Sequence, residues 1–74
     1  MTEVTLVNLK KGEKPPPGPP KPVIVDCRGS GGAEISDSAK QMVIRVRYAE
    51  LQSTIAGLAE KGVKKIYVRG LDDA

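Results

Sequence analysis

Residues 42–69, MVIRVRYAELQSTIAGLAEKGVKKIYVR, change their apolar period twice. Met42, Ile44 and Val46 alternate with Val43, Arg45 and Arg47, the period of a strand running to Tyr48. From Ala49 to Lys61 the repeat lengthens: Leu51, Ile55, Leu58 and Ala59 recur at spacings of four, seven and eight, one apolar face of a helix. Gly62 supplies its stop. Alternation then returns over Val63 to Arg69, with Ile66 and Val68 set between Lys65, Tyr67 and Arg69, and Gly70 closes the run. Strand, helix and strand follow in that order. Gly57 inside the helix costs about 1 kcal/mol relative to alanine, so it marks either a close approach to another backbone or simple tolerance.

Upstream, Val23 to Cys27 (VIVDC) is a β-rich run closed by Arg28 to Gly32 (RGSGG), whose three glycines signal a turn or flexible loop. Ser36-Asp37-Ser38 is suited to cap a short helical turn. Thr2 to Leu9 sets Val4, Leu6 and Asn8 against Thr5, Val7 and Leu9, again a strand. Between these lies Lys10 to Pro22, KKGEKPPPGPPKP, with six prolines packed into positions 15–22. Proline fixes φ and removes a donor, so the tract is neither helix nor inner strand. In polyproline II form Pro15 to Pro22 reaches about 25 Å, a stiff arm.

The chain therefore reads as three stretches: an N-terminal strand over 1–9, a basic Pro-rich arm over 10–22, and a compact β-β-α-β domain over 23–74. The predicted class is α+β, a small antiparallel sheet with one helix packed on one face, preceded by the extended arm. A single helix shields one side of a sheet, so Val43, Tyr67 and the basic residues beside them are expected to face water or a partner. Asp72 and Asp73 read as a solvated tail.

Seventy-four residues allow one small domain. With no His, Phe or Trp and only two tyrosines, the chain lacks the commonest general base and the best stacking platforms. No acid, base and nucleophile set assembles from these residues, so an enzyme is the least favoured class and no catalytic or metal-ligating residues are assigned. The net charge of +3 permits acidic partners without demanding them. One cysteine makes no internal disulfide, and a reducing compartment is the simpler setting. The longest aliphatic runs, Val23 to Val25 and Met42 to Ile44, fall far short of the roughly 18 residues that span a bilayer. At this length, conformational entropy of about 1.5 kcal/mol per ordered residue nearly cancels the burial gain, so order is expected to come partly from a partner.

Arg28 to Gly32 stands where a phosphate-cradling loop follows a strand, but it lacks both the Walker spacing and G-x-G-x-x-G, and flexibility explains it more cheaply. Cys27 reads first as a buried small hydrophobe and second as a ligand or redox group. Arg28 would lower its pKa and Asp26 would raise it. Arg45, Arg47, Lys64, Lys65 and Arg69 make a basic stripe if their strands are neighbours. Without paired aromatics, solvated faces or a protein interface outrank RNA binding.

The order of VIVDCRGSGG and MVIRVRY resembles the α subunits of cryptophyte phycobiliproteins and the related red-algal phycobilisome scaffolding proteins. In that family a Pro-Val-Ile-type strand runs into an Asp-x-Arg-Gly turn, a Gly-rich loop, a Met-Val strand and a helix. Here these are Pro22 to Val25, Asp26 to Gly29, Ser30 to Gly32, Met42-Val43 and Ala49 to Lys61. VRYAELQSTIAGLAEKGVKKIYVRGL, residues 46–71, is similar to the small phycobilisome linker domain. The likeness implies a non-enzymatic linker of a light-harvesting antenna in the chloroplast, on the stromal side of the thylakoid. It would bind phycoerythrin-like subunits, with no nucleic acid and no membrane insertion. The family's bilin-bearing cysteine follows Asp-x-Arg-Gly directly, where this chain has Ser30, so the resemblance implies no covalently bound pigment and contact only with the bilins of partner subunits. The partner-binding residues on this reading are Pro15, Pro16, Pro17, Pro19, Pro20, Pro22, Arg45, Arg47 and Tyr67. Two alternatives stand beside it. One is a small basic nucleic-acid-binding module. The other is a bilin-carrying α subunit in which Cys27 holds the pigment, Asp26 accepts pyrrole N–H bonds and Arg28 pairs a propionate. Against the last, adjacent strand residues point to opposite faces.

Overall fold

The computed structural model describes residues 3–29 and 33–71. Five strands and one helix appear in the order β1 (Thr5–Leu9), β2 (Val23–Asp26), β3 (Glu34–Asp37), β4 (Met42–Arg45), α1 (Leu51–Glu60) and β5 (Lys65–Arg69), with a 3₁₀ turn over Tyr48–Glu50 leading into α1. The α+β class stands, with one helix on one face of one sheet. Asp72, Asp73 and the stretch Ser30 to Gly32 lie outside the described residues.

The sheet is mixed rather than antiparallel. Its strand order is β1-β5-β2-β4-β3. The pairs β1/β5, β5/β2 and β2/β4 are parallel, and β3/β4 is antiparallel. Connection length gives the reason, because a parallel crossover needs roughly a dozen residues to return the chain to the strand's starting end. Thirteen residues, Lys10 to Pro22, separate β1 from β2, and nineteen, Val46 to Lys64, separate β4 from β5. The first crossover is the proline tract and the second contains the helix.

The helix forms where its period indicated. Leu51, Ile55 and Leu58 turn toward a core of Val25, Cys27, Ile44, Val46, Ile66 and Val68. It ends in a Schellman arrangement: Gly62 N–H donates to Ala59 O at 3.0 Å and Val63 N–H to Leu58 O at 3.1 Å. Gly62 takes the left-handed φ of +93° that this stop requires.

Ser36-Asp37-Ser38 does not cap a helical turn. Ser36 and Asp37 belong to β3, and Ser38 shapes its hairpin to β4, accepting from the amides of Lys40 at 3.3 Å and Gln41 at 3.2 Å and donating to Gln41 O at 3.0 Å. Asx and Ser side chains favour turns as readily as helix caps, and here pairing with β4 wins. Lys21 ties the end of the proline tract to this hairpin through an ion pair with Asp37 and a 3.0 Å bond to Ser38 O.

The second face of the sheet is not open. Leu9, Ile24, Val43 and Tyr67 form a separate buried cluster there, with Val7 against it. The proline tract crosses this side: Pro16 to Pro22 share a cavity of about 480 Å³ with Tyr67. A proline-rich crossover thus takes the position that a second helix holds in an α/β layer, and Tyr67 is removed from the surface.

Candidate functional site

One row of cross-strand neighbours runs through all five strands. Leu9, Arg69, Asp26, Arg45 and Glu34 stand opposite one another in the registers of β1, β5, β2, β4 and β3. It lies on the second face, where the parallel strands reach their carboxyl ends. In parallel sheets ligands gather at those ends because the connections diverge there.

Asp26 is the centre of the row and is completely buried, at 0% exposure. A buried carboxylate persists only when its oxygens are paired. Arg28 donates from Nε and from its backbone N–H to Oδ1, both at 3.0 Å, and from Nη2 to Oδ2 at 3.0 Å. Arg69 donates to Oδ2 from Nη2 at 3.1 Å and from Nε at 3.3 Å. Arg45 Nε stands 3.8 Å from the same oxygen. Three guanidinium groups therefore surround one carboxylate, a local excess of positive charge held in fixed planes. Burial pushes the carboxyl pKa up, but the side-chain and backbone bonds from Arg28 and the side-chain bond from Arg69 outweigh it, holding the pKa at about 2 against 3.8 for an ordinary aspartate.

Local backbone geometry supports this arrangement. Asp26 and Arg28 are two apart, so an Asp-x-Arg sequence at a strand end returns the arginine to its own aspartate. Gly70, at φ +99°, turns the chain directly after Arg69, and a Cβ there would meet Arg28 Cγ at 2.9 Å.

Cys27 goes to the opposite face, buried against the helix side with Val25 and Ile44. Burial, and then the negative charge of Asp26, raise its thiol pKa, which keeps it protonated. Asp26 and Arg28 are engaged with each other on the other face, so the three residues of the bilin alternative do not converge. Arg47 is exposed and pairs with Glu50 at 3.0 Å, which lowers the Glu50 pKa. Tyr67 is buried, with the Lys65 ammonium 5.5 Å from its ring centre. Of the prolines, Pro22 is buried, Pro15 half-buried, and Pro16, Pro17, Pro19 and Pro20 exposed.

The basic stripe is not continuous. Strands β4 and β5 are separated by β2, so Asp26 stands between Arg45 and Arg69, while Lys64 and Lys65 lie at the other end of β5. Arg69 as the partner of Asp26 escaped sequence reading. The two are 43 positions apart, and the one available signal was an acid at the end of an apolar strand.

Comparison with family models, with curated proteins and with solved structures gives no match to this chain.

Proposed function

We propose that this chain is a non-enzymatic scaffolding subunit that binds acidic phycobiliprotein subunits and fixes their arrangement in a light-harvesting antenna on the stromal side of the thylakoid. The observation that carries the reading is the layout of the β3–β4 side of the sheet. There, Ile35 on β3 and Tyr48 beyond β4 are 67% and 69% exposed, and Arg45 and Arg47, on β4 and its extension, are exposed as well. Aromatic and arginine side chains are enriched in protein interfaces, and the arginines favour an acidic partner. Strand β3 is short, exposed along its whole length and, among the described residues, unpaired on its outer side, so a partner strand has an edge to extend. The exposed prolines of the crossover add a second, conformationally restricted contact surface.

The test is co-sedimentation of the chain with purified phycoerythrin-type hexamers at about 0.1 M salt. The native chain is expected to pellet with them. A double variant, Arg45→Glu with Arg47→Glu, is expected to stay in the supernatant while keeping its circular dichroism spectrum. Equal pelleting of both would remove the reading.

A further inference from the structure

We propose that the outer edge of β1 pairs antiparallel with the same edge of a second copy of this chain, giving a two-fold dimer with one continuous sheet. This edge lies at the opposite end of the strand order from β3, so the pairing leaves the interface proposed above uncovered and stands without it.

Hydrogen-bonding phase is the first argument. Thr5 N–H donates to Lys64 O at 2.8 Å, and in a parallel ladder alternate residues of a strand bond to the same neighbour. Thr5, Val7 and Leu9 therefore bond toward β5, and the N–H and C=O groups of Leu6 and Asn8 point outward. Among the described residues no strand takes them. Edge strands are commonly guarded by charge, proline or a bulge. Glu34 and Asp37 guard β3 in this way, whereas Thr5–Leu9 holds neither charge nor proline and pairs with β5 one to one, without a bulge. Leu6, on this unguarded edge, is 53% exposed.

Self-complementarity is the second, and it selects a copy of this chain as the occupant. Full antiparallel overlap of Thr5–Leu9 on itself sets Thr5 opposite Leu9, Leu6 opposite Asn8, and Val7 opposite Val7 on the two-fold axis. The outward groups of Leu6 then face those of Asn8, so each such pair exchanges both of its backbone hydrogen bonds. Val7 already packs against Leu9, Ile24, Val43 and Tyr67, and its contact with the partner's Val7 joins the two clusters into one apolar layer. In the same register Glu3 falls opposite Lys11, so unlike charges meet at both ends of the contact. Centring the pair on Leu6 instead would set Glu3 opposite the buried Leu9.

The experiment is sedimentation velocity on the purified full chain over about 5 to 500 μM. A contact this short is below the standard interface size, so a monomer–dimer equilibrium in the micromolar range is expected. Leu6→Lys places a charge on the outward edge and is expected to weaken the dimer by about tenfold or more with an unchanged circular dichroism spectrum. Ile35→Lys, on the other edge, is expected to dimerise as the native chain does. Cross-linking tests the register independently. Val7 faces its own copy in a non-hydrogen-bonded pair, where Cα atoms stand about 4.5 Å apart, within disulfide reach. Val7→Cys with oxidised glutathione is expected to give a covalent dimer, and Thr5→Cys, displaced along the strand from its own copy, is not. Cys27 is buried and supplies no competing thiol. A monomer at every concentration, an unchanged dimer in Leu6→Lys, an equal loss in Ile35→Lys, or cross-linking of Thr5→Cys as complete as that of Val7→Cys would overturn the proposal. Growth past the dimer would do so too, since it would mean that β1 pairs with β3 of the next copy in an open chain.

Discussion

Asp26 and Arg69 are register partners on adjacent parallel strands, and the arginine Nη2 stands 3.1 Å from a carboxylate oxygen that has no contact with solvent. The pair joins the last strand of the sheet to its central one by charge as well as by backbone.

Acid should release that contribution. The Asp26 pKa is depressed in the folded chain, to about 2 from 3.8, so its stabilisation is fully present above pH 4 and is lost as the pH falls from about 4 to about 2. The size is about 2 kcal/mol. Urea midpoints measured between pH 7 and pH 2 are expected to drop most steeply below pH 4; a flat profile there would contradict the assignment.

The three arginines should not be equivalent. Arg69→Met removes two hydrogen bonds from a buried carboxylate and is expected to cost about 2–4 kcal/mol. Arg45→Met removes a 3.8 Å contact from a side chain that is 53% exposed and is expected to cost less than about 1 kcal/mol. Chemical denaturation of the two variants side by side measures the difference.

Two glycines make opposite expectations. A Cβ on Gly57 would meet nothing within 4 Å, which decides between close approach and tolerance in favour of tolerance, so Gly57→Ala should stabilise the chain by about 1 kcal/mol. Gly62 holds φ at +93°, and Gly62→Ala should destabilise it by about 1 kcal/mol. Thermal melts of the two variants should move in opposite directions.

Cys27 should behave as a core residue. Its thiol is buried and its pKa raised, so a disulfide exchange reagent at pH 8 is expected to react at a rate that follows unfolding and rises with urea. Fast, urea-independent labelling would show an accessible thiol instead. Cys27→Ser is expected to leave co-sedimentation with phycobiliprotein hexamers intact.

The sequence made the helix legible because Leu51, Ile55 and Leu58 are spaced for one face and Gly62 can occupy the stop. It made β2 legible because Val23 to Val25 is a buried β-branched run. It hid β3, since periodicity records burial and Glu34, Ile35, Ser36 and Asp37 are all exposed. Strand direction was hidden as well: alternation is the same for parallel and antiparallel pairs, and only the lengths of Lys10 to Pro22 and Val46 to Lys64 carried the distinction. The site was half visible. Asp26 and Arg28 are close in sequence, whereas Arg69 joins them only through a register that no local pattern encodes.

The placement of β5 has a consequence for synthesis on the ribosome. Among the described residues strand β1 pairs with the sheet only through β5, which follows the other strands in the chain. Until residues 65–69 leave the exit tunnel, the first strand has no lane to occupy and the central aspartate lacks one of its cations. Completion of this sheet is therefore a late event, and a nascent chain stopped short of Arg69 should be a target for chaperones and proteases.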